Sequence, residues 1–397
     1  MKIALIKNYD EPSWTSCKSI TNNLVKLYSD GNSESKIFEV KNKESIYSIS
    51  QAVKEIEFYK PDFIIYLEHN PSPTNFLALI SNSDLKDKKI IYHVFGDFAL
   101  QTRSWIDLFD KIKDLNIRFI CASDAQKDFL LNILDTDCIS VIPFPVDEKT
   151  FFYNQESRSQ TRDDLNLSNS DFVYIYTGRL SIQKNIRTLL EVFSFFNDDK
   201  KLILCGSYDN LGRPYFGQSQ LKDSYYFDLK ELLNDKNVIY LGNRSAQELN
   251  HLYSASDCLI NLSTHNDEDY GMSIAEAITS DLPVILTQWG GFKSFAKYSE
   301  KIRFISTSIK DQGIYPNFSE SMKEIQSSLK TERITNPAFY TKSLSEKVKH
   351  ELNSNFSNFK LSDNFHTLDN YLNNKTNCFF ENGKISHEYK DLYEPYF

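Results

Sequence analysis

Two glutamates with seven residues between them, Glu268 and Glu276, are the side chains of this sequence best suited to chemistry. Glu268 lies in a polar loop over 263–269, and Glu276 lies about five residues into a predicted helix over Met272–Thr279. At a rise of ~1.5 Å per residue, their carboxylates are expected about 8–12 Å apart. Glycosidases place their two carboxyl groups about 5–9.5 Å apart across a single bond, which suits this pair poorly. We therefore predict that each glutamate binds hydroxyl groups at one end of an extended ligand, the alternative being a helix N-terminal carboxylate beside an unrelated surface glutamate.

A second cluster could bind phosphate. A predicted strand over Phe172–Tyr176 is followed by Gly178, Arg179 and Lys184, and then by a predicted helix that runs to Phe196. Glycine allows close approach of the backbone, and a helix N-terminus offers free N–H groups and a positive dipole. Arginine can donate two hydrogen bonds to phosphate oxygens, and lysine adds a mobile charge. The spacing predicts a diphosphate site, although arginine and lysine in such a loop are often simply solvated.

Both clusters resemble the donor-site signatures of glycosyltransferase family 4, whose members are retaining enzymes with the GT-B fold. The first signature is carried by Glu268-Asp269-Tyr270-Gly271, Glu276-Ala277, Leu282-Pro283-Val284-Ile285 and Gly290-Gly291, and the second by Gly178-Arg179-Leu180 with Lys184. The two signatures occur in the order that the family shows.

The resemblance implies roles for individual residues. Glu268 would hold the hydroxyl groups of a donor sugar, and Glu276 would hold the ribose of a nucleotide. Arg179 and Lys184 would stabilise the charge on the departing diphosphate. His93, at the end of a predicted strand, would lie near the donor sugar, or would serve only to cap that strand. The remaining residues that the resemblance places at the donor and its nucleotide are Gly178, Asn243, Arg244, Tyr270, Gly271, Met272 and Ser273.

The elements that position these residues alternate between strand-like and helix-like periods, which predicts an α/β fold of two Rossmann-like domains. By resemblance, these domains face each other across a cleft, and a C-terminal helix crosses back to the first domain. We predict an acceptor domain over 1–152, a polar linker over 153–170 and a donor domain over 171–340. Residues 341–397 are expected to form returning helices and an aromatic-rich tail. Ser245 and Glu248 predict a capping box at the start of a helix.

The first domain departs from the family at two places. The loop over 8–16 contains no glycine, whereas the family often has a glycine pair there beside the donor phosphates. At the end of the domain, Phe144-Pro145 stands where the family has Asn-Gly, so this turn cannot share the same backbone. Both departures concern the side of the protein that would bind the acceptor.

Composition excludes several classes of protein. The 397 residues carry a net charge of −9 without a basic block, so nucleic acid is not an expected partner. Six scattered cysteines without paired spacing predict reduced residues of a cytoplasmic protein. No apolar run reaches the ~20 residues of a membrane helix, although association with the inner face of the membrane stays open.

The sequence as a whole predicts a retaining glycosyltransferase that moves a sugar from a nucleotide-diphosphate sugar to a hydroxyl acceptor. The favoured donor is a UDP-sugar, and no metal or other cofactor is expected. The acceptor would be a glycan, a lipid-linked sugar or a protein, in glycan or surface polysaccharide assembly. The alternative is a non-catalytic GT-B partner subunit that binds a glycan or a glycosylated protein. The absence of a GxGxxG motif after Ile6 argues against an oxidoreductase.

Overall fold

The structure, a computed structural model, describes residues 1–9, 15–29, 34–41, 45–67, 73–95, 102–196, 199–208, 224–310, 313–334, 341–373, 380–381 and 384–397. Most of the loop over 8–16 and part of the tail over 373–397 therefore lie outside the described residues.

The strands are β1 Lys2–Asn8, β2 Glu34–Val40, β3 Phe63–Tyr66, β4 Lys89–His93, β5 Ile117–Cys121, β6 Leu134–Asp135, β7 Ile139–Val141, β8 Phe172–Thr177, β9 Lys200–Cys205, β10 Val238–Gly242, β11 Cys258–Asn261, β12 Val284–Thr287, β13 Ile302–Ile305, β14 Thr307–Lys310, β15 Gly313–Pro316, β16 Lys360–Leu361, β17 Phe380–Glu381 and β18 Lys384–Ile385.

The α-helices are α1 Thr15–Ser29, α2 Ile46–Tyr59, α3 Pro73–Ile80, α4 Thr102–Ile112, α5 Asp124–Ile133, α6 Gln155–Asp164, α7 Ile186–Phe193, α8 Ser224–Leu229, α9 Ala246–Ala255, α10 Met272–Thr279, α11 Phe318–Gln326, α12 Thr341–Leu352, α13 Asp363–Asn373 and α14 His387–Leu392. Short 3₁₀ helices span Ile182–Lys184, Leu232–Asn234, Gly290–Lys297 and Glu394–Tyr396. None of the described helices is both long and apolar enough to cross a membrane.

The chain divides into two compact units. Unit 1 contains Met1–Val146, Tyr340–Thr376 and Leu392–Pro395, and unit 2 contains Asp147–Phe339, Asn377–Asp391 and Tyr396–Phe397. Helices α12 and α13 thus belong to the same unit as the first 146 residues.

Each unit is built on a parallel six-stranded sheet. The strand order is β2-β1-β3-β4-β5-β7 in unit 1 and β10-β9-β8-β11-β12-β13 in unit 2. Central strands such as β3, β8 and β11 are buried along their whole length, because helices cover both faces of such sheets. These two doubly wound sheets confirm the predicted α/β fold with two Rossmann-like domains.

The segment over 153–170, which we predicted as a linker, contains helix α6 instead. The Asn154 side chain caps its first turn by accepting a hydrogen bond from the Ser157 backbone. Arg158 and Arg162 then bind the Asp257 carboxylate, and Arg162 is almost completely buried. The segment has few apolar anchors besides the buried Leu167, so its polar contacts to the end of α9 help to hold it in unit 2, and a hydrophobic pattern cannot reveal such contacts.

Candidate functional site

Most of the predicted site residues follow three strands of the unit 2 sheet. Their segments come after β8, β10 and β11. Because these strands belong to one parallel sheet, all three segments leave the same edge of it. In open α/β sheets, ligands bind outside this carboxyl edge. The topology therefore brings the two clusters found in the sequence to one place.

Two glycines allow the backbones after β8 and β9 to approach closely. Gly178 donates to the Cys205 carbonyl at 3.0 Å, and Gly206 donates to the Gly242 carbonyl at 2.9 Å. A Cβ atom on Gly206 would stand 1.8 Å from the Gly178 carbonyl oxygen, and the two residues have φ of 141° and 149° respectively. No side chain fits between these strand ends.

A buried ion pair joins the two predicted clusters. The Lys184 ammonium contacts Oε2 of Glu268, and the two side chains are 13% and 10% exposed. The Ser263 hydroxyl donates to the same carboxylate oxygen at 2.5 Å. The structure therefore brings together a lysine that we predicted for phosphate and a glutamate that we predicted for the sugar.

Asn185 fixes the loop that carries Lys184. The 3₁₀ turn over Ile182–Lys184 ends at Asn185, which adopts the left-handed conformation with φ of 52°. Its amide donates to the Leu262 carbonyl at 2.8 Å and to the Thr264 hydroxyl at 2.9 Å. The loop after β8 is thereby fastened to the loop after β11, which holds Lys184 beside Glu268.

Glu276 lies in a different environment, inside helix α10. The Tyr253 hydroxyl lies 3.2 Å from its Oε2 atom and 2.8 Å from the Thr177 hydroxyl. Burial raises the pKa of Glu276 to about 8, and the hydrogen bond from Tyr253 opposes that rise. At neutral pH, the carboxyl group is therefore largely protonated, and it can both donate and accept hydrogen bonds.

The N-terminus of α10 begins at Gly271, which has φ of 114°. A Cβ atom there would meet the side chains of Ile274 and Phe292 at 2.8 and 2.9 Å. The backbone N–H groups of the first helical turn have no partner within the helix, so those of Met272 and Ser273 are suited to binding an anion. The neighbouring Tyr270 ring packs on Phe295, with centroids 5.0 Å apart.

Three further predicted residues stand at the same edge of the sheet. Arg179 is half-buried, and its carbonyl accepts a hydrogen bond from Tyr176 at 2.8 Å. Arg244 donates to the Asn243 carbonyl at 3.2 Å and lies 4.0 Å from the Glu248 carboxylate. Glu248 also completes the predicted capping box with Ser245, which is confirmed.

His93 lies in unit 1, apart in the chain from the other candidates. Its Nε2 atom is 2.8 Å from the Tyr28 hydroxyl, and the imidazole is completely buried. Burial lowers the pKa of His93 to about 3, so the ring is neutral at physiological pH. This environment fits the structural alternative that the sequence left open, and a role for His93 at the donor sugar stays a prediction.

Sequence reasoning missed Ser263, Thr177, Tyr253 and Asn185. Each lies within a segment that the reasoning did consider, but none carries a charge or a distinctive spacing. Their position at the end of β8, in the loops after β8 and β11, or on the helix before β11 is the signal that could have pointed to them. Among the described residues, no group of three or more His, Cys, Asp or Glu side chains could hold a metal ion.

The chain is similar in sequence and fold to known proteins. Residues 157–312 match the sequence family described as "Glycosyl transferases group 1". These residues include all of the candidate site except His93, so the similarity to group 1 glycosyl transferases covers the segments after β8, β10 and β11. The match supports the prediction that the protein is an enzyme of the transferase class.

A curated relative matches about half of the chain. It is the lipopolysaccharide 1,2-N-acetylglucosaminetransferase of Salmonella typhimurium, 24% identical over 192 residues. The matched part covers 47% of this chain and 48% of that protein, so the chain spans about half the length of the relative.

Solved structures match over most of the chain. HepE of Anabaena, in complex with UDP-glucose, is 16% identical, with a TM-score of 0.65 over 89% of this chain and 99% of that one. A glycosyltransferase from Rickettsia africae is 17% identical, with a TM-score of 0.58 over 94% of this chain and 99% of that one. At these identities the likeness shows the fold alone, which is that of the GT-B proteins.

Proposed function

We propose that this protein is a retaining glycosyltransferase of family 4 that transfers a sugar from a UDP-sugar to a hydroxyl acceptor. The observation that carries the proposal is the buried contact between Lys184 and Glu268, which the Ser263 hydroxyl completes. A cation and a carboxylate at the carboxyl edge of a Rossmann-like sheet can bind the two polar parts of a nucleotide sugar, the phosphates and the sugar hydroxyl groups.

The transfer reaction requires stabilisation of the leaving diphosphate. As the bond to the anomeric carbon breaks, negative charge grows on the β-phosphate. Arg179, Lys184 and the N–H groups at the start of α10 are the positive groups at this edge, and fixed groups of this kind stabilise developing charge well. With these cations in place of a divalent ion, the reaction would run without metal.

The retaining outcome comes from the resemblance to family 4, and the role given to Glu268 agrees with it. Its carboxylate already accepts hydrogen bonds from a lysine and a serine, which suits an acceptor for sugar hydroxyls better than a nucleophile. The leaving phosphate would then act as the base for the incoming hydroxyl on the same face of the sugar. Glu276, which shares the Tyr253 hydroxyl with Thr177, would bind the ribose.

Two of the similar proteins support the proposed donor and the proposed pathway. The Anabaena structure contains UDP-glucose, and the Salmonella relative is a lipopolysaccharide N-acetylglucosaminetransferase. We therefore favour UDP as the nucleotide and surface polysaccharide assembly as the setting, with a glycan or lipid-linked sugar as acceptor.

The first test measures binding of UDP, GDP, ADP, UDP-glucose and UDP-N-acetylglucosamine by thermal shift, in EDTA and again with Mg²⁺. A ligand that binds the folded state raises the melting temperature, and at a fixed ligand concentration the shift increases with affinity. We expect UDP to stabilise the wild type in EDTA, and Glu276→Ala to lose most of that shift. Glu191→Ala is the matched control, because Glu191 is an exposed carboxylate that pairs with Arg187 on α7.

If no nucleotide shifts the wild type in either buffer, the transferase proposal fails and the partner-subunit alternative takes its place. If UDP shifts only with Mg²⁺, the metal-independent part fails. The retaining assignment is tested on the reaction product. Its anomeric configuration, determined from the anomeric proton coupling by NMR, must be the same as that of the donor sugar.

A further inference from the structure

Residues 396–397 of the aromatic-rich tail pack against the loop that carries Glu268. The Tyr396 hydroxyl donates to Oδ1 of Asp269, the residue after Glu268, and the Tyr396 side chain is 1% exposed. The Trp289 ring contacts both tail residues, with its centroid 6.0 Å from that of Tyr396 and 4.9 Å from that of Phe397. The Lys293 ammonium donates to the Phe397 main-chain oxygen at 3.0 Å.

The turn after β12 also contacts this loop. The indole N–H of Trp289 donates to the His265 carbonyl at 2.7 Å, and Gly291 donates to the Glu268 carbonyl at 2.8 Å. Gly290 has to be a glycine here, because a Cβ atom would stand 2.7 Å from both the Glu268 carbonyl oxygen and the Tyr396 ring. The loop over 265–271, the turn after β12 and residues 396–397 therefore pack against one another.

From these contacts we infer that Tyr396 is a positioning residue, which fixes the loop over 265–271 so that the Glu268 side chain meets Lys184. A loop between a strand and a helix has no internal ladder of hydrogen bonds to fix its course, so its position depends on what packs against it. Asp269 is 8% exposed, and a buried carboxylate that loses a donor drives the backbone to rearrange.

This inference rests on the proposed function and makes it more specific. If Glu268 holds the donor sugar, displacing its loop weakens the contacts to the sugar while leaving those to the nucleotide. Tyr396 would therefore act on the sugar-dependent part of binding and catalysis alone. A residue that only stabilises the fold would affect UDP and UDP-sugar alike.

The test compares Tyr396→Phe with the wild type in three measurements. Calorimetry gives the dissociation constants of UDP, UDP-glucose and UDP-N-acetylglucosamine, and release of UDP from the bound UDP-sugar gives kcat and KM. Hydrogen exchange gives the protection of amides in 265–271. We expect UDP affinity to stay within about twofold, kcat to fall at least about tenfold, and exchange to rise within that loop.

Tyr174→Phe is the matched control, because it removes one buried phenol hydrogen bond of the same unit, to the Ile325 carbonyl at 2.9 Å. It should change neither kcat nor loop exchange. Asp269→Asn, which keeps a carbonyl acceptor for the Tyr396 hydroxyl, should retain more activity than Asp269→Ala. Adding Tyr396→Phe to Asp269→Ala should cost little more, since residues that act through one contact are not additive.

The inference is overturned if Tyr396→Phe matches Tyr174→Phe in kcat and in loop exchange, or if it weakens UDP and UDP-sugar binding equally. If the wild type itself binds no nucleotide, the proposed function falls and this role falls with it. Nucleotide binding by the wild type therefore distinguishes failure of the proposed function from failure of the role inferred for Tyr396.

Discussion

Glu268 and Glu276 belong to the same stretch of chain and are equally buried, each 8% exposed, yet their surroundings differ. Glu268 has an ammonium and a hydroxyl on one carboxylate oxygen. Glu276 has a phenol, and burial raises its pKa to about 8. One carboxyl group is held in an ion pair, and the other is kept close to neutral. A single strand–loop–helix segment can therefore offer two chemically different hydroxyl-binding groups.

The difference between the surroundings of Glu268 and Glu276 comes from β8 and the loop that follows it. The loop after β8 reaches Glu268 with Lys184, whereas the end of β8 reaches Glu276 only through Thr177 and Tyr253. An ion pair at a donor site can exchange its partner for a phosphate or a sugar. A neutral acid can match ribose hydroxyl groups, each of which both donates and accepts.

The largest loss of stability is expected from breaking the ion pair between Lys184 and Glu268. Lys184→Met keeps the aliphatic stem and removes the charge, which leaves the Glu268 carboxylate buried beside an apolar group. We expect the free energy of unfolding to fall by about 3 kcal/mol, as measured by urea denaturation at pH 7.

The double variant Lys184→Met/Glu268→Gln serves as the control, because it removes both charges and should recover much of the loss. A single variant as stable as the wild type would show that the pair is effectively solvated, and the contrast between the two glutamates would then disappear.

The second effect is a pH dependence that comes from Glu276. Its pKa is near 4.5 in the unfolded chain and about 8 in the folded protein, so between these values the folded state binds more protons. Its contribution to stability is therefore complete below about pH 4.5 and is lost as the pH rises through about 8, at up to about 1.4 kcal/mol per pH unit.

The measurement is urea denaturation of the wild type and Glu276→Gln from pH 5 to 9. The glutamine does not titrate, so the stability of the wild type relative to Glu276→Gln should fall with rising pH and level off above about 8. A difference that is constant with pH would mean that Glu276 stays ionised throughout, as in an ion pair.

The smallest effect is expected from Tyr253→Phe. It removes the hydrogen bond that opposes the rise in the pKa of Glu276, so the midpoint of the pH dependence should move upward. The free energy of unfolding should fall by about 1 kcal/mol. The same pH series measures both, and an unchanged midpoint would show that burial alone sets the pKa of Glu276.

Several elements could be predicted because their patterns are local. Helix α10 spans Met272–Thr279 as expected, since a glycine precedes it and a Pro-containing turn follows it. The buried strands follow from continuous apolar runs, and the capping box from Ser245 and Glu248. The similarity of residues 157–312 to group 1 glycosyl transferases follows from motifs that occur in the sequence in the expected order.

Other features depend on partners that are distant in the chain. The segment over 153–170 looks like a linker because the partners of Arg158 and Arg162 lie about 95 residues away, around Asp257. The environment of His93 is set by Tyr28, 65 residues earlier. Neither contact can be predicted from the local composition of the sequence.

The sequence alone determined the parallel sheets, the glycine-rich strand ends and the order of the charged residues after them, because these follow from periodicity and spacing within short windows. Only the tertiary structure decided that Lys184 pairs with Glu268, that Glu276 is kept near neutral, and that Tyr396 contacts the loop beside it. Charge state depends on burial and on neighbours across 23 to 127 positions of the chain, and folding alone brings those groups within hydrogen-bonding distance.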